Sequence, residues 1–138
     1  MLPSLELPQI VVQRLLVTGG REFTDGDYVF RWLQLLQLKY QFRLLIHGGA
    51  RGVDTLADVW ARGNGVQPCR CDALWPYWRS RGAYKAAGTI RNGDMLALHP
   101  HLVVAFPGGT GTANMLEQTR KAGVPFVNLA DDYAQETT

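Results

Sequence analysis

The chain has 138 residues, 14 Lys and Arg against 12 Asp and Glu, and a formal charge of +2, a balance too weak to argue for nucleic acid as the partner. Hydrophobic residues make up 46% and charged residues 19%, enough for one core under a hydrated surface, and no apolar run reaches membrane-spanning length. The opening Met1-Leu2-Pro3-Ser4-Leu5-Glu6 lacks the basic stretch and long apolar core of a secretory signal. The expectation is a cytoplasmic protein, read as a single domain over 1–138 with its core at about residues 14–130.

Arg14 to Thr18 reads as a first strand, with Gly19-Gly20 as its exit turn. Asp25 or Asp27 caps a helix in which Val29, Leu33, Leu36 and Tyr40 recur at helical spacing. Arg43 to Ile46 is a second strand. It runs into the turn His47-Gly48-Gly49-Ala50-Arg51-Gly52-Val53-Asp54. A second helix follows, with Val53, Leu56, Ala57, Trp60 and Ala61 on one face, and Gly63 or Gly65 ends it. Val66 to Cys71 is a third strand, placed at an edge by Pro68. Its Cys69 and Cys71 read as reduced residues on opposite faces that do not readily pair, and two thiols alone make no zinc site.

An aromatic, basic loop runs from Asp72 to Gly82, and Trp75 or Trp78 in it could stack on a base. Ala83 to Leu98 reads as helical despite Gly88 and Gly93. His101 to Phe106 is a fourth strand, leading into Pro107-Gly108-Gly109-Thr110-Gly111-Thr112. Thr112 to Ala122 is a fourth helix, capped by Thr112 if its hydroxyl turns back. Val124 to Leu129 is a fifth strand, and the tail after Asp131 is expected to be polar and loose.

Strands alternating with helices imply an α/β, Rossmann-like three-layer fold with a mostly parallel five-stranded sheet. Right-handed crossovers bring the turns after strands one, two and four to the carboxyl edge, where such sheets bind ligands. Two glycine-rich turns each open a helix. Glycine admits close approach of a ligand, and helix N-termini offer unpaired N–H groups and partial positive charge. This combination suits phosphate. Arg21, Arg51, Arg79, Arg81, Lys85 and Arg91 fall near these loops or helix starts and add cationic groups.

Thr18-Gly19-Gly20-Arg21-Glu22-Phe23-Thr24-Asp25, the His47–Asp54 turn, Ala86-Ala87-Gly88-Thr89-Ile90-Arg91-Asn92 and Phe106-Pro107-Gly108-Gly109-Thr110-Gly111-Thr112-Ala113 occur in that order. Together they resemble the YspA-type, cpYpsA-related branch of the SLOG superfamily, over about Leu15 to Leu129. That superfamily is named after the DNA-processing protein Smf/DprA and the Lonely Guy phosphoribohydrolases. The resemblance implies a Rossmann-like fold that binds nucleotides or their derivatives. Its members include nucleotide hydrolases, sensors of ADP-ribose-like signals and DNA-binding proteins, so the fold does not fix the chemistry. Lonely Guy-like relatives pair through helices, which leaves a homo-oligomer open.

Lonely Guy enzymes carry Pro-Gly-Gly-x-Gly-Thr-x-x-Glu, with a catalytic glutamate. Here Met115 stands at that position, and a thioether neither transfers a proton nor stabilises an oxocarbenium ion. The first reading is therefore a binder of a nucleotide or nucleotide-derived ligand, with no cofactor or metal required. Its ligand residues would be Gly19, Gly20, Arg21, Gly48, Gly49, Arg51, Gly52, Asp54, Arg91, Asn92, Pro107, Gly108, Gly109, Thr110, Gly111 and Thr112. The alternative is a hydrolase of the nucleotide N-glycosidic bond using Asp54, Asp25 or Glu117. A third reading, single-stranded nucleic-acid binding, has the near-neutral charge against it.

Overall fold

The computed structural model describes residues 5–74, 80, 82 and 86–138. The elements are β1 (Arg14–Thr18), α1 (Gly26–Tyr40), β2 (Leu44–His47), α2 (Val53–Gly63), β3 (Gln67–Arg70), α3 (Ala86–Leu96), β4 (Leu102–Ala105), α4 (Thr110–Lys121), β5 (Phe126–Asn128) and α5 (Ala130–Glu136). The five strands form an all-parallel sheet in the order β3-β2-β1-β4-β5. Pro68 does lie on an edge strand, as its missing N–H requires. Successive crossovers run outward from β1 to β3, then return to β4 on the other side of β1. The connections leaving β1 and β4 diverge, and a crevice opens between their carboxyl ends.

The apolar residues of the strands alternate between two cores. Leu15, Val17, Leu45, Leu102 and Val104 meet the faces of α1 and α2, including Trp32 and Trp60. Leu16, Ile46 and Val103 point the other way and meet Met95 of α3 and Met115 of α4. Both faces are covered, which is why these strands read as continuous apolar runs. Each fully buried leucine here contributes roughly 1.5–3 kcal/mol.

Cys69 and Cys71 share a face, contrary to the sequence expectation. Both pack against the Leu16–Met115 side, because residues two apart on an extended chain project the same way. Both are free thiols. Burial, reinforced by the neighbouring Cys69, pushes the Cys71 thiol up to about 11, which keeps it protonated at neutral pH.

The C-terminal tail is not loose. Residues 130–136 form α5, docked on α1. Buried Asp132 accepts from Tyr28 Oη at 2.8 Å and from Trp32 Nε1 at 3.3 Å. The Tyr133 ring stands edge-on to Phe23 and Tyr28, and its hydroxyl donates to Asp25. The polar letters that suggested a solvated tail are the ones that fasten it. Asp132→Ala strands the indole N–H in the core and is expected to cost about 1–3 kcal/mol. Asp131→Ala, at the exposed neighbouring position, stays within about 0.5 kcal/mol. Paired urea denaturation curves check the contrast.

His101 locks the start of β1. Its Nδ1 accepts from the backbone N–H of Gln13 (3.2 Å) and Arg14 (3.1 Å). Burial, together with the Arg14 charge, lowers its pKa below the usual histidine range. The unfolded chain then takes up this proton at a higher pH than the native state. Stability supplied by neutral His101 is complete above the unfolded value, near 6.5, and is lost as pH falls toward the lowered native value. The drop in denaturation midpoint between pH 7.5 and 5.5 should be larger in the parent than in His101→Gln; equal drops would refute this assignment.

Candidate functional site

Three strand-exit turns touch one another directly. Gly20 N–H donates to Pro107 O at 2.8 Å, and Val53 N–H donates to Gly20 O at 3.2 Å. A Cβ at Gly20 would lie 3.0 Å from Pro107 O and 3.1 Å from Gly108 Cα. Glycine is required at Gly20 because main chain meets main chain with no room for a side chain. The turns enclose a cleft of about 1030 Å³ at the β1/β4 switch point, closed on its other side by Gly88, Thr89 and Arg91 of α3.

The floor of the cleft is the start of α4. This helix begins at Thr110, two residues before the sequence expectation, so Thr112 does not cap it. The cap is Gly109, which offers no side chain. Among the described residues the N–H groups of Thr110, Gly111 and Thr112 have no acceptor. Open amides and the positive end of a 12-residue helix thus face the cleft and favour an anion. Asn92 braces this end: its Nδ2 donates to Gly111 O at 3.2 Å and to Asn114 Oδ1 at 3.0 Å. Gln118 Nε2 reaches the same Asn114 oxygen at 2.8 Å. Asn92 is buried and tied to α4, which makes it a support for the amide cradle.

The turn after β2 looks equivalent in sequence and differs in structure. Asp54, buried in the first turn of α2, folds back so that its Oδ2 accepts from Gly48 N–H (3.1 Å) and Ala50 N–H (3.2 Å). Gly49 N–H donates to His47 Nδ1 at 3.1 Å. The amides expected to hold a ligand at Gly48 and Gly49 are therefore consumed internally. Because Nδ1 of His47 accepts, its proton sits on Nε2, which donates to Asp58 Oδ2 at 2.6 Å. Burial first raises the Asp58 carboxyl, but the hydrogen bonds from Arg62 and His47 outweigh it and hold the group below its ordinary range. The histidine is thereby fully engaged in the turn. Gly52 lets α2 start against β1's exit: its φ is +79°, and a Cβ there would strike the carbonyls of Gly20 and Arg21.

Arg91 is the cation of the cleft. It is half-buried; its Nη1 donates to Gly48 O at 2.6 Å and its Nε to Asn92 Oδ1 at 3.1 Å. Nη2 has no partner among the described residues. Burial lowers its pKa, and the nearby Asp54 charge works the other way. Burial likewise raises the Asp54 carboxyl, opposed by the Ala50 and Gly48 amides, His47 and Arg91. Arg21 also lines the cleft. Arg51 is exposed and ion-paired with Glu22.

Two candidate carboxylates stand elsewhere. Asp25 caps α1 through Tyr28 N–H and accepts from Tyr133 Oη. Glu117 pairs with Arg120 and Lys121 on the outer side of α4. Neither lines the cleft. Met115 is wholly buried in the second core. Trp75, Trp78, Arg79, Arg81 and Lys85 lie outside the described residues. Sequence reasoning passed over Thr89 and Asn114, and over Arg70 and Asp72 at the end of β3. The signal for the last pair was a charged residue at the carboxyl end of a parallel strand, the edge where ligands sit.

The YspA, cpYpsA-related SLOG family matches residues 13–77. A relative, Gene 61 protein of Mycobacterium phage D29, is 35% identical over 129 residues, covering 87% of this chain and 98% of that protein. The chain belongs to the YspA, cpYpsA-related SLOG family. Within this SLOG chain the matched segment carries the β1 and β2 exit turns. The α4 cradle, which begins at Thr110, lies beyond it. Among the described residues no helix is long and apolar enough to cross a membrane.

Proposed function

We propose that this SLOG protein binds a nucleotide or nucleotide-derived ligand, ADP-ribose-like or a nucleoside phosphate, in the β1/β4 cleft. The observation that carries the reading is the pairing of open amides at Thr110–Thr112 with the half-buried Arg91 guanidinium across one cleft. Fixed amides supply directional donors, and Arg91 supplies charge in a partly dehydrated setting where it is poorly screened. Gly19, Gly20, Pro107, Gly108 and Gly109 line the cleft and shape its wall, and Asn92 keeps the cradle in place. Gly48, Gly49 and Gly52 contribute shape rather than amides.

Thermal unfolding and calorimetry with nucleoside mono-, di- and triphosphates, ADP-ribose and inorganic phosphate test this. A specific ligand at 100 times its Kd adds about 2.7 kcal/mol to stability. A family of curves unmoved by every nucleotide at millimolar concentration would remove the proposal. Chromatography of the same incubations for released base tests the hydrolytic reading. That reading rests on Asp54, the one candidate carboxyl in the cleft, whose raised pKa suits proton transfer. Base release lost in Asp54→Asn would favour it.

A further inference from the structure

Beside the main cleft lies a smaller basin of about 380 Å³, formed at the turn after β2 and the end of β3. Arg21, Arg51, Arg70 and Arg91 line it, with Asp72 as the sole lining carboxylate among the described residues. Arg21, Ala50 and Arg91 line both cavities, so the two are contiguous. Their chemistry differs. In the main cleft the donors are fixed amides at a helix start. In the basin the main-chain N–H groups of Gly48, Gly49 and Ala50 are already taken by Asp54 and His47. The charged donors an anion meets there are guanidinium groups.

Two of those groups are held in exchangeable pairs. Arg51 pairs with Glu22, both well exposed. Arg70 Nε donates to Asp72 Oδ1 at 2.7 Å, also in the open. Exposed pairs of this kind contribute little to stability. A ligand anion presenting two or three oxygens to the guanidinium forks can therefore replace the carboxylates at small cost. Arg91, anchored on Gly48 O, forms the wall between the two cavities.

We propose that this basin is a second anion subsite, and that the ligand is a nucleotide bearing two separate phosphate groups. One group sits on the α4 amides, and the other displaces Glu22 and Asp72 from Arg51 and Arg70. The inference rests on the nucleotide reading of the main cleft and narrows it to a bisphosphorylated class. It assigns Arg70 a binding role.

Calorimetry with adenosine 5′-monophosphate and adenosine 3′,5′-bisphosphate tests it, on the full chain and on the double variant Arg51→Gln/Arg70→Gln. Both substituted side chains are exposed, so folding should survive. The bisphosphate should bind the parent at least about tenfold more tightly than the monophosphate, the effect of one added charge-assisted contact. The double variant should lose that advantage. Equal affinities in the parent, or an advantage that survives the double substitution, would overturn the subsite. Inorganic pyrophosphate, followed through the Arg side-chain Nε–H resonances, separates the two readings. If neither nucleotide binds but pyrophosphate shifts Arg51 and Arg70, the subsite stands and the nucleotide reading falls. If nothing shifts or binds, both fall.

Discussion

Gly52→Ala should be the most damaging single methyl in this protein, lowering stability by roughly 2–6 kcal/mol. Two effects combine. The native backbone has φ +79° and ψ −127°, a region that costs a residue with a Cβ about 1–3 kcal/mol. The new methyl would also meet Gly20 O and Arg21 O; relieving that overlap by backbone shifts costs about 1–3 kcal/mol more. The neighbours are main chain, so no flexible side chain can yield. Gly63→Ala is the control, since nothing lies within 4 Å of a Cβ there. It should be neutral or slightly stabilising at the end of α2. Urea midpoints for the two variants decide the matter. A Gly52→Ala loss below about 1 kcal/mol would mean the turns separate without penalty, against the interlocked geometry described above.

The second large effect is on binding. Arg91→Ala should weaken the tightest nucleotide of the panel by about 10–150-fold, the equivalent of one lost charge-assisted hydrogen bond of about 1.5–3 kcal/mol. Arg91→Lys should recover part of the loss, because it keeps the charge and forfeits the planar fork. The substitution also frees Gly48 O and removes a positive neighbour from Asp54. With that influence gone, the Asp54 carboxyl should move further up, and Asp54→Asn placed on top of Arg91→Ala should cost less stability than Asp54→Asn alone. Melting curves recorded beside the calorimetry separate lost binding from lost folding. Unchanged affinity in a folded Arg91→Ala protein would move the ligand's phosphate away from this wall.

Much of the architecture was legible in the order of residues. Leu15–Val17, Leu45–Ile46 and Leu102–Val104 are apolar runs closed by glycine turns, the pattern that doubly covered parallel strands produce. Pro68 marked an edge by lacking a donor. The two glycine turns were legible as places where main chain comes close to something. What that something is could not be read locally. At Gly20 it is the turn after β4, and at Gly108 it is the Thr112 side chain together with Gly20 N. At Gly48 the space belongs to Arg91, 43 residues away in the chain.

The amino-acid order alone settled the alternation of elements, the parallel sheet and the family, because strand and helix periods and glycine turns are short-range signals. Tertiary structure alone decided which turn keeps its amides open. Asp54 and His47 fold back to satisfy Gly48, Gly49 and Ala50, whereas none of the described residues folds back onto the N–H groups of Thr110–Thr112. It also converted a polar tail into a docked helix, since the partners of Asp132 lie about 100 residues upstream. Hydrogen-bond satisfaction depends on where distant groups converge in space, and no local pattern encodes that convergence.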